Sequence, residues 1–238
     1  MNIFIIVGLI GLSAEVMAIV SYSKYSKRYR LIKNTETSRI TTLKKGFYEV
    51  IGKVVFLNDK LISPLSQEPC VYYKFKVEEE RSSGKSTSWF TVINDEKYVR
   101  FGLQDPSGIA YIEMKGAKLI FNKDLQGRTG LFRKASEELK WVMNRYGKTT
   151  HGWMFEKKLR YAETIIKESE ELYILGEVHE MEGYYPVFRK GKLPFIISDK
   201  SEVSLLKNSR HIFQLALLIM IVIPLGIAVY LLFFVGFL

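Results

Sequence analysis

The 238 residues carry 35 Lys and Arg against 25 Asp and Glu, a formal charge of +10 with a pI near 9.4. One cysteine excludes an internal disulfide and a cysteine-rich zinc site, and three scattered histidines offer no paired ligands, so no metal and no cofactor is expected. Basic charge raises nucleic acid as a partner, but apolar runs at both ends make a lipid bilayer the expected neighbour instead.

Residues 1–22 are expected to form a first transmembrane helix. Eleven Leu, Ile, Val and Phe side chains between Ile3 and Val20 favour insertion by roughly 3–7 kcal/mol, against about 2.5–3.5 kcal/mol for Glu15. A cleaved signal peptide fits poorly, because Met1-Asn2 supplies no basic start and Met17-Ala-Ile-Val20 no small-residue cleavage site. Glu15, a carboxylate inside the membrane, is a candidate functional acid, and snorkelling to the interface is its bland alternative. An oligomeric channel of paired helices with Glu15 in its lumen stays open. Residues 23–42 form a basic juxtamembrane segment. There Tyr22, Tyr25 and Tyr29 suit the headgroup zone, while Lys24, Lys27, Arg28 and Arg30 suit anionic lipid.

The middle domain, 43–211, divides into a β-rich part (43–128), a helical insert (129–168) and returning strands (169–205). In Tyr48-Glu-Val-Ile-Gly-Lys-Val54, Gly52 marks an expected bulge or bend. Two prolines exclude a central strand from Lys60 to Cys70, which should pack as an ordered irregular segment. Val71, Tyr73, Phe75 and Val77 then alternate with Tyr72, Lys74 and Lys76, the pattern of a half-buried strand. A polar tip, Glu78 to Thr87, should turn into a strand over 88–93. Val99, Phe101 and Leu103 lead to Asp105-Pro-Ser-Gly108, a type I turn signature, and Ile109 to Met114 should run back as a hairpin. From Phe132 the period becomes helical, with Ala135, Leu139, Val142, Met143 and Tyr146 on one face and a stop near Gly147. A second, less regular helix is expected over 155–167, and strands over 172–178, 186–188 and 193–198.

Residues 212–238 form the second expected transmembrane helix. It holds nineteen Leu, Ile, Val and Phe and no charge, worth roughly 6–11 kcal/mol of insertion preference, and Pro224 should merely kink it. Six basic residues (Lys24, Lys27, Arg28, Arg30, Lys33, Arg39) follow the first span and four (Lys192, Lys200, Lys207, Arg210) precede the second. The positive-inside rule then places residues 23–211 in the cytoplasm, beside the cell membrane. The expected fold is α+β: a small twisted sheet or partly open barrel of the oligonucleotide-binding kind, with inserted helices, between two membrane spans.

No catalytic constellation emerges. Ser83-Gly-Lys-Ser-Thr87 lacks the preceding glycine of a phosphate loop, and His179-Glu-Met-Glu182 lacks the second histidine of a zinc-protease helix. Cys70, between Pro69 and a strand, reads as a buried structural thiol. Two pieces echo one another: 48–54 is similar to 172–178, and 101–107 to 195–201.

The segment Leu61-Ile-Ser-Pro-Leu-Ser-Gln-Glu-Pro-Cys-Val-Tyr-Tyr73, taken with Trp89, Phe101-Gly-Leu-Gln-Asp-Pro-Ser-Gly108 and Gly176-Glu-Val178, resembles the GIDE/Mulan family. Those are membrane ubiquitin ligases of mitochondria and chloroplasts, with prokaryotic relatives, whose "beside-a-membrane" domain lies between two spanning helices. The resemblance implies a ubiquitin-protein transferase with a cysteine-rich RING after the second span. One cysteine cannot ligate the two zincs of a RING, so a prokaryotic-like member without one is expected. Ser63, Pro64, Leu65, Ser66, Pro69, Cys70, Tyr72, Tyr73, Trp89, Asp105, Gly108 and Gly176 are then structural or partner-binding motif residues. In organellar relatives the domain faces the intermembrane space, whereas charge places this one in the cytoplasm. The expected function is a membrane-adjacent module that binds a protein or anionic lipid, as monomer or homo-oligomer, without catalysis. The alternative is a ligase-family protein that borrows a partner's RING.

Overall fold

A computed structural model describes residues 3–84, 86–130, 132–152 and 155–234, in two compact units: Thr37–Asp199, and Met1–Glu36 with Lys200–Leu238. In chain order come helix α1 (Ile3–Asn34) and strands β1 (Gly46–Val55), β2 (Leu61–Ile62), β3 (Pro69–Cys70), β4 (Tyr72–Ser83) and β5 (Ser86–Tyr98). Strands β6 (Phe101–Gln104), β7 (Ile109–Ile112), β8 (Lys118–Ile120) and β9 (Leu125–Arg128) precede helix α2 (Glu137–Arg145). Then follow β10 (Leu159–Ile166), β11 (Glu171–Glu182), β12 (Tyr185–Arg189), β13 (Ile196–Ser198) and helix α3 (Glu202–Phe234).

Five strands close a barrel. β1 pairs antiparallel with β6, β6 with β7, β7 in parallel with β12, β12 antiparallel with β11, and β11 returns to β1 from Lys53↔Glu171 to Gly46↔Val178. Closure leaves these strands no free edge, so the barrel is shut rather than partly open. Val50, Val54, Phe101, Leu103, Ile112, Ile174, Phe188 and Ile197 fill it, all buried. The two similar segments, 48–54 and 172–178, turn out to be antiparallel partners, meeting at Val50↔Ile174. Gly52 makes no bulge with β11. Its role is close approach, since a Cβ there would stand 2.6 Å from the Gln104 carbonyl oxygen.

A second sheet, β5-β4-β10-β9, is built entirely from insertions between barrel strands. Its inner face (Phe75, Val77, Ile93, Leu159) packs on Leu139, Val142 and Met143 of α2. Four expectations are corrected here. The helix begins at Glu137 rather than Phe132, because the Ser136 hydroxyl caps it by accepting from the Leu139 N–H at 3.3 Å; Phe132 lies outside, 97% exposed. Residues 159–166 form strand β10 rather than a helix, paired on both sides by β4 and β9. The polar stretch after Glu78 continues as paired strand to Ser83↔Ser86, where Lys85 lies outside the described residues. Tyr72, expected on the open face, is buried: it stacks on Phe121 and its hydroxyl donates to Glu96 at 2.9 Å.

In the helical unit α1 and α3 run antiparallel: Gly11 faces Ile223, while Tyr22 and Tyr29 set their rings on Phe213. Among the described residues one helix is long and apolar enough to cross a membrane, Glu202–Val229, with a mean hydropathy of 2.7. Pro224 sits within it.

Candidate functional site

The segment Ser63-Pro-Leu-Ser-Gln-Glu68 closes the short β2–β3 ladder as an ordered turn. Pro64, and Gln67 at φ +57°, keep it out of the ladder, so its backbone groups must be satisfied otherwise. The Ser63 N–H donates to the Glu68 carbonyl, and the Glu68 N–H to the Ser63 hydroxyl. The larger share falls to Glu163 of β10, 1% exposed, whose carboxylate accepts from the Leu65 N–H (2.7 Å), the Ser66 N–H (2.9 Å) and the Ser66 hydroxyl (2.6 Å). Glu163 therefore staples the turn to the inserted sheet from about a hundred residues downstream. Sequence reasoning missed it, because a glutamate at an inward strand position broke the alternation of Leu159, Tyr161 and Ile165.

Around this turn, Cys70 is fully buried beside Tyr73 and Ile165, and burial pushes its thiol up to about 11. Asp95 accepts from the hydroxyls of Tyr73 (2.9 Å) and Tyr146 (2.5 Å), and burial together with that hydrogen bond raises both phenols. Asp105 holds its hairpin: its carboxylate accepts from the N–H groups of Ser107, Gly108 and Ile40 at 2.7–2.9 Å. Burial opposes its ionisation, yet these bonds and the one from the Ser107 hydroxyl keep it below the usual carboxylate value. Gly176 leaves room for the Phe195 ring, which a Cβ would meet at 2.5 Å. Every motif residue described here thus has a packing or hydrogen-bonding role.

The outer face of the inserted sheet is different. Lys74, Lys76 and Glu78 of β4, Arg160, Ala162 and Thr164 of β10, and Gln126 and Arg128 of β9 line a groove of about 650 Å³, together with Lys123 and Arg133 from the segments that flank β9. Hydrogen bonds from Arg160 (2.7 Å) and Lys76 (2.8 Å) pull Glu78 down to about 2, so it stays ionised and neutralises both. Arg160 also lies 4.5 Å above the Trp89 ring, and Lys74 pairs with Glu96 at 2.8 Å. Arg160 faces Arg128 directly across the ladder, a like-charge arrangement that costs stability. Among the described residues Lys123, Arg128 and Arg133 have no acidic partner.

The remaining candidates do not gather. Tyr22, Lys24, Lys27 and Arg30 lie exposed along α1 with Tyr25 half-buried, whereas Arg28 is buried; Glu15 sits half-buried on the same helix. His179 pairs with Glu177 (3.1 Å) and His151 with Glu156 (3.3 Å). The carboxylates of Glu113, Glu180 and Glu182 approach one another, but Arg189 pairs with the first two and Arg100 with the third.

A family model described as GIDE, E3 ubiquitin ligase, matches residues 72–231, about two thirds of the chain. The chain belongs to the GIDE family. The GIDE match opens at Tyr72 and takes in Tyr73, Trp89, Asp105, Gly108, Gly176, Glu163, the basic groove and most of α3. The Ser63–Cys70 segment and α1 lie before the matched region. No curated protein and no solved structure matches the chain.

Proposed function

We propose that this GIDE protein is a two-pass membrane protein that presents its basic β-rich unit beside one leaflet as a protein or lipid interaction or sensor module, without catalysis of its own. The observation that carries the reading is the surface of α3. Leu215, Leu218, Ile221, Val222 and Leu225 are each more than half exposed, and only 6% of the most apolar stretch is buried. Water would charge about 25 cal/mol for each Å² of that apolar area, whereas lipid does not. The antiparallel seating of α1 on α3 supports a paired anchor, with Tyr22, Lys24, Lys27 and Arg30 exposed where headgroups would lie. Positive charge beside both spans supports a cytoplasmic domain at the cell membrane.

The family description favours a second reading, in which the chain joins ubiquitin transfer. A RING holds two zincs through cysteine and histidine, and these 238 residues hold one buried cysteine, so in that reading the RING comes from outside them, as from a partner. Alkaline carbonate extraction of membranes tests the anchor: the chain is expected in the pellet, and its release would overturn the reading. Discharge of ubiquitin from a loaded conjugating enzyme tests the rest: the purified chain alone is expected to leave the rate unchanged, and acceleration would favour the ligase.

A further inference from the structure

We propose that the outer edge of β9 is a docking site for an extended acidic segment of a partner protein, which adds a fifth strand to the inserted sheet and sets its carboxylates against Lys123, Arg128 and Arg133. The inference names a partner class for the interaction module and rests on that reading.

The first observation is an open edge. β9 pairs with β10 on one side, and among the described residues no strand pairs with the other. Just beyond the strand, the Thr129 N–H donates to the Leu159 carbonyl, so antiparallel alternation turns the N–H and C=O of Gln126 and Arg128 away from β10. These groups are what an added strand would bond. The second observation is charge. Glu78 and Glu96 already neutralise Lys74, Lys76 and Arg160, deeper in the sheet, which leaves the unpaired cations on the β9 side of the groove. Alternate side chains of an extended peptide repeat every ~7 Å, the repeat that separates Gln126 from Arg128 on the strand it would join. A nucleic acid fits less well. Its continuous phosphates would cross the carboxylates of Glu78 and Glu96, and the Trp89 ring that a base could stack on is covered by Arg160.

The test uses the full chain in uncharged detergent micelles and a fluorescein-labelled peptide alternating Glu and Val, with a Lys–Val peptide and short oligothymidylate as comparison probes. The Glu peptide is expected to bind, to weaken as salt rises, and to lose at least about tenfold in affinity with Arg128→Glu combined with Arg133→Glu. In the unmutated chain, bound Glu peptide is expected to slow hydrogen exchange at the Gln126 and Arg128 amides, a readout that needs no variant. No binding of the Glu peptide, binding without that protection, or tighter binding of oligothymidylate would overturn the docking site. Because micelles replace the bilayer here, a chain that resists carbonate yet ignores the peptide loses only the docking site. A chain that binds the peptide but is stripped by carbonate loses only the anchor.

Discussion

Replacing Glu163 is the sharpest test of how the motif turn is held. Its carboxylate accepts three hydrogen bonds, from the Leu65 and Ser66 N–H groups and the Ser66 hydroxyl, at a site only 1% exposed. Glu163→Ala would strand all three donors. At about 1–3 kcal/mol for each buried group left unpartnered, and with relaxation making the sum less than additive, the loss should be roughly 3–6 kcal/mol. For a domain of this size that is a fall in Tm of at least about 6 °C. Glu163→Gln keeps one acceptor oxygen but turns an amide N–H₂ toward the remaining donor, so about 1–3 kcal/mol is expected. Thermal unfolding of the full chain in detergent measures the order, Ala worse than Gln and Gln worse than the parent. Hydrogen exchange adds the location: the Leu65 and Ser66 amides should lose protection first. Equal stability of the three proteins, or unchanged exchange at those two amides, would refute the staple.

Gly52→Ala should cost about 1–3 kcal/mol or more, because the new methyl meets the Gln104 carbonyl at 2.6 Å, and chemical denaturation reads the loss. Gly183→Ala meets no atom within 4 Å and carries only the strain of φ +63°, so it should cost less, about 1 kcal/mol. Glu78 has a folded pKa of about 2 against an ordinary 4.5, so its stabilisation is complete above 4.5 and fades as pH falls toward 2. The stability gap between the parent and Glu78→Gln should therefore hold at neutral pH and narrow across that window; a constant gap in denaturation midpoints at acid pH contradicts the assignment. Cys70, fully buried with its thiol raised to about 11, should resist iodoacetamide in the folded chain and react once denatured, as mass spectrometry would record.

Much of the architecture was legible because local pattern and burial agree. Phe75 and Val77 alternate into the α2 interface, Asp105 to Gly108 turns the β6–β7 hairpin, and the terminal apolar run forms α3. β10 was not legible. Its inward positions are Leu159, Tyr161, Glu163 and Ile165, and a buried glutamate there makes sense only once the Ser63–Glu68 turn is seen to deliver donors to it. The groove was equally hidden: Lys74 and Lys76, Arg160, and Arg128 each read alone as an ordinary solvated face.

What the amino-acid order by itself determined is what depends on neighbours within a few residues: apolar length at the two ends, strand alternation, turn chemistry, and the motif of the GIDE family. What only the tertiary structure decided is what depends on partners far apart in the chain. The barrel shuts because 48–54 finds its look-alike 172–178 across more than a hundred residues, and the cations share one face because three strands from two insertions pair in register. Hydrogen-bond ladders join positions that no local period can relate, so closure and the charged groove exist only once the strands have met.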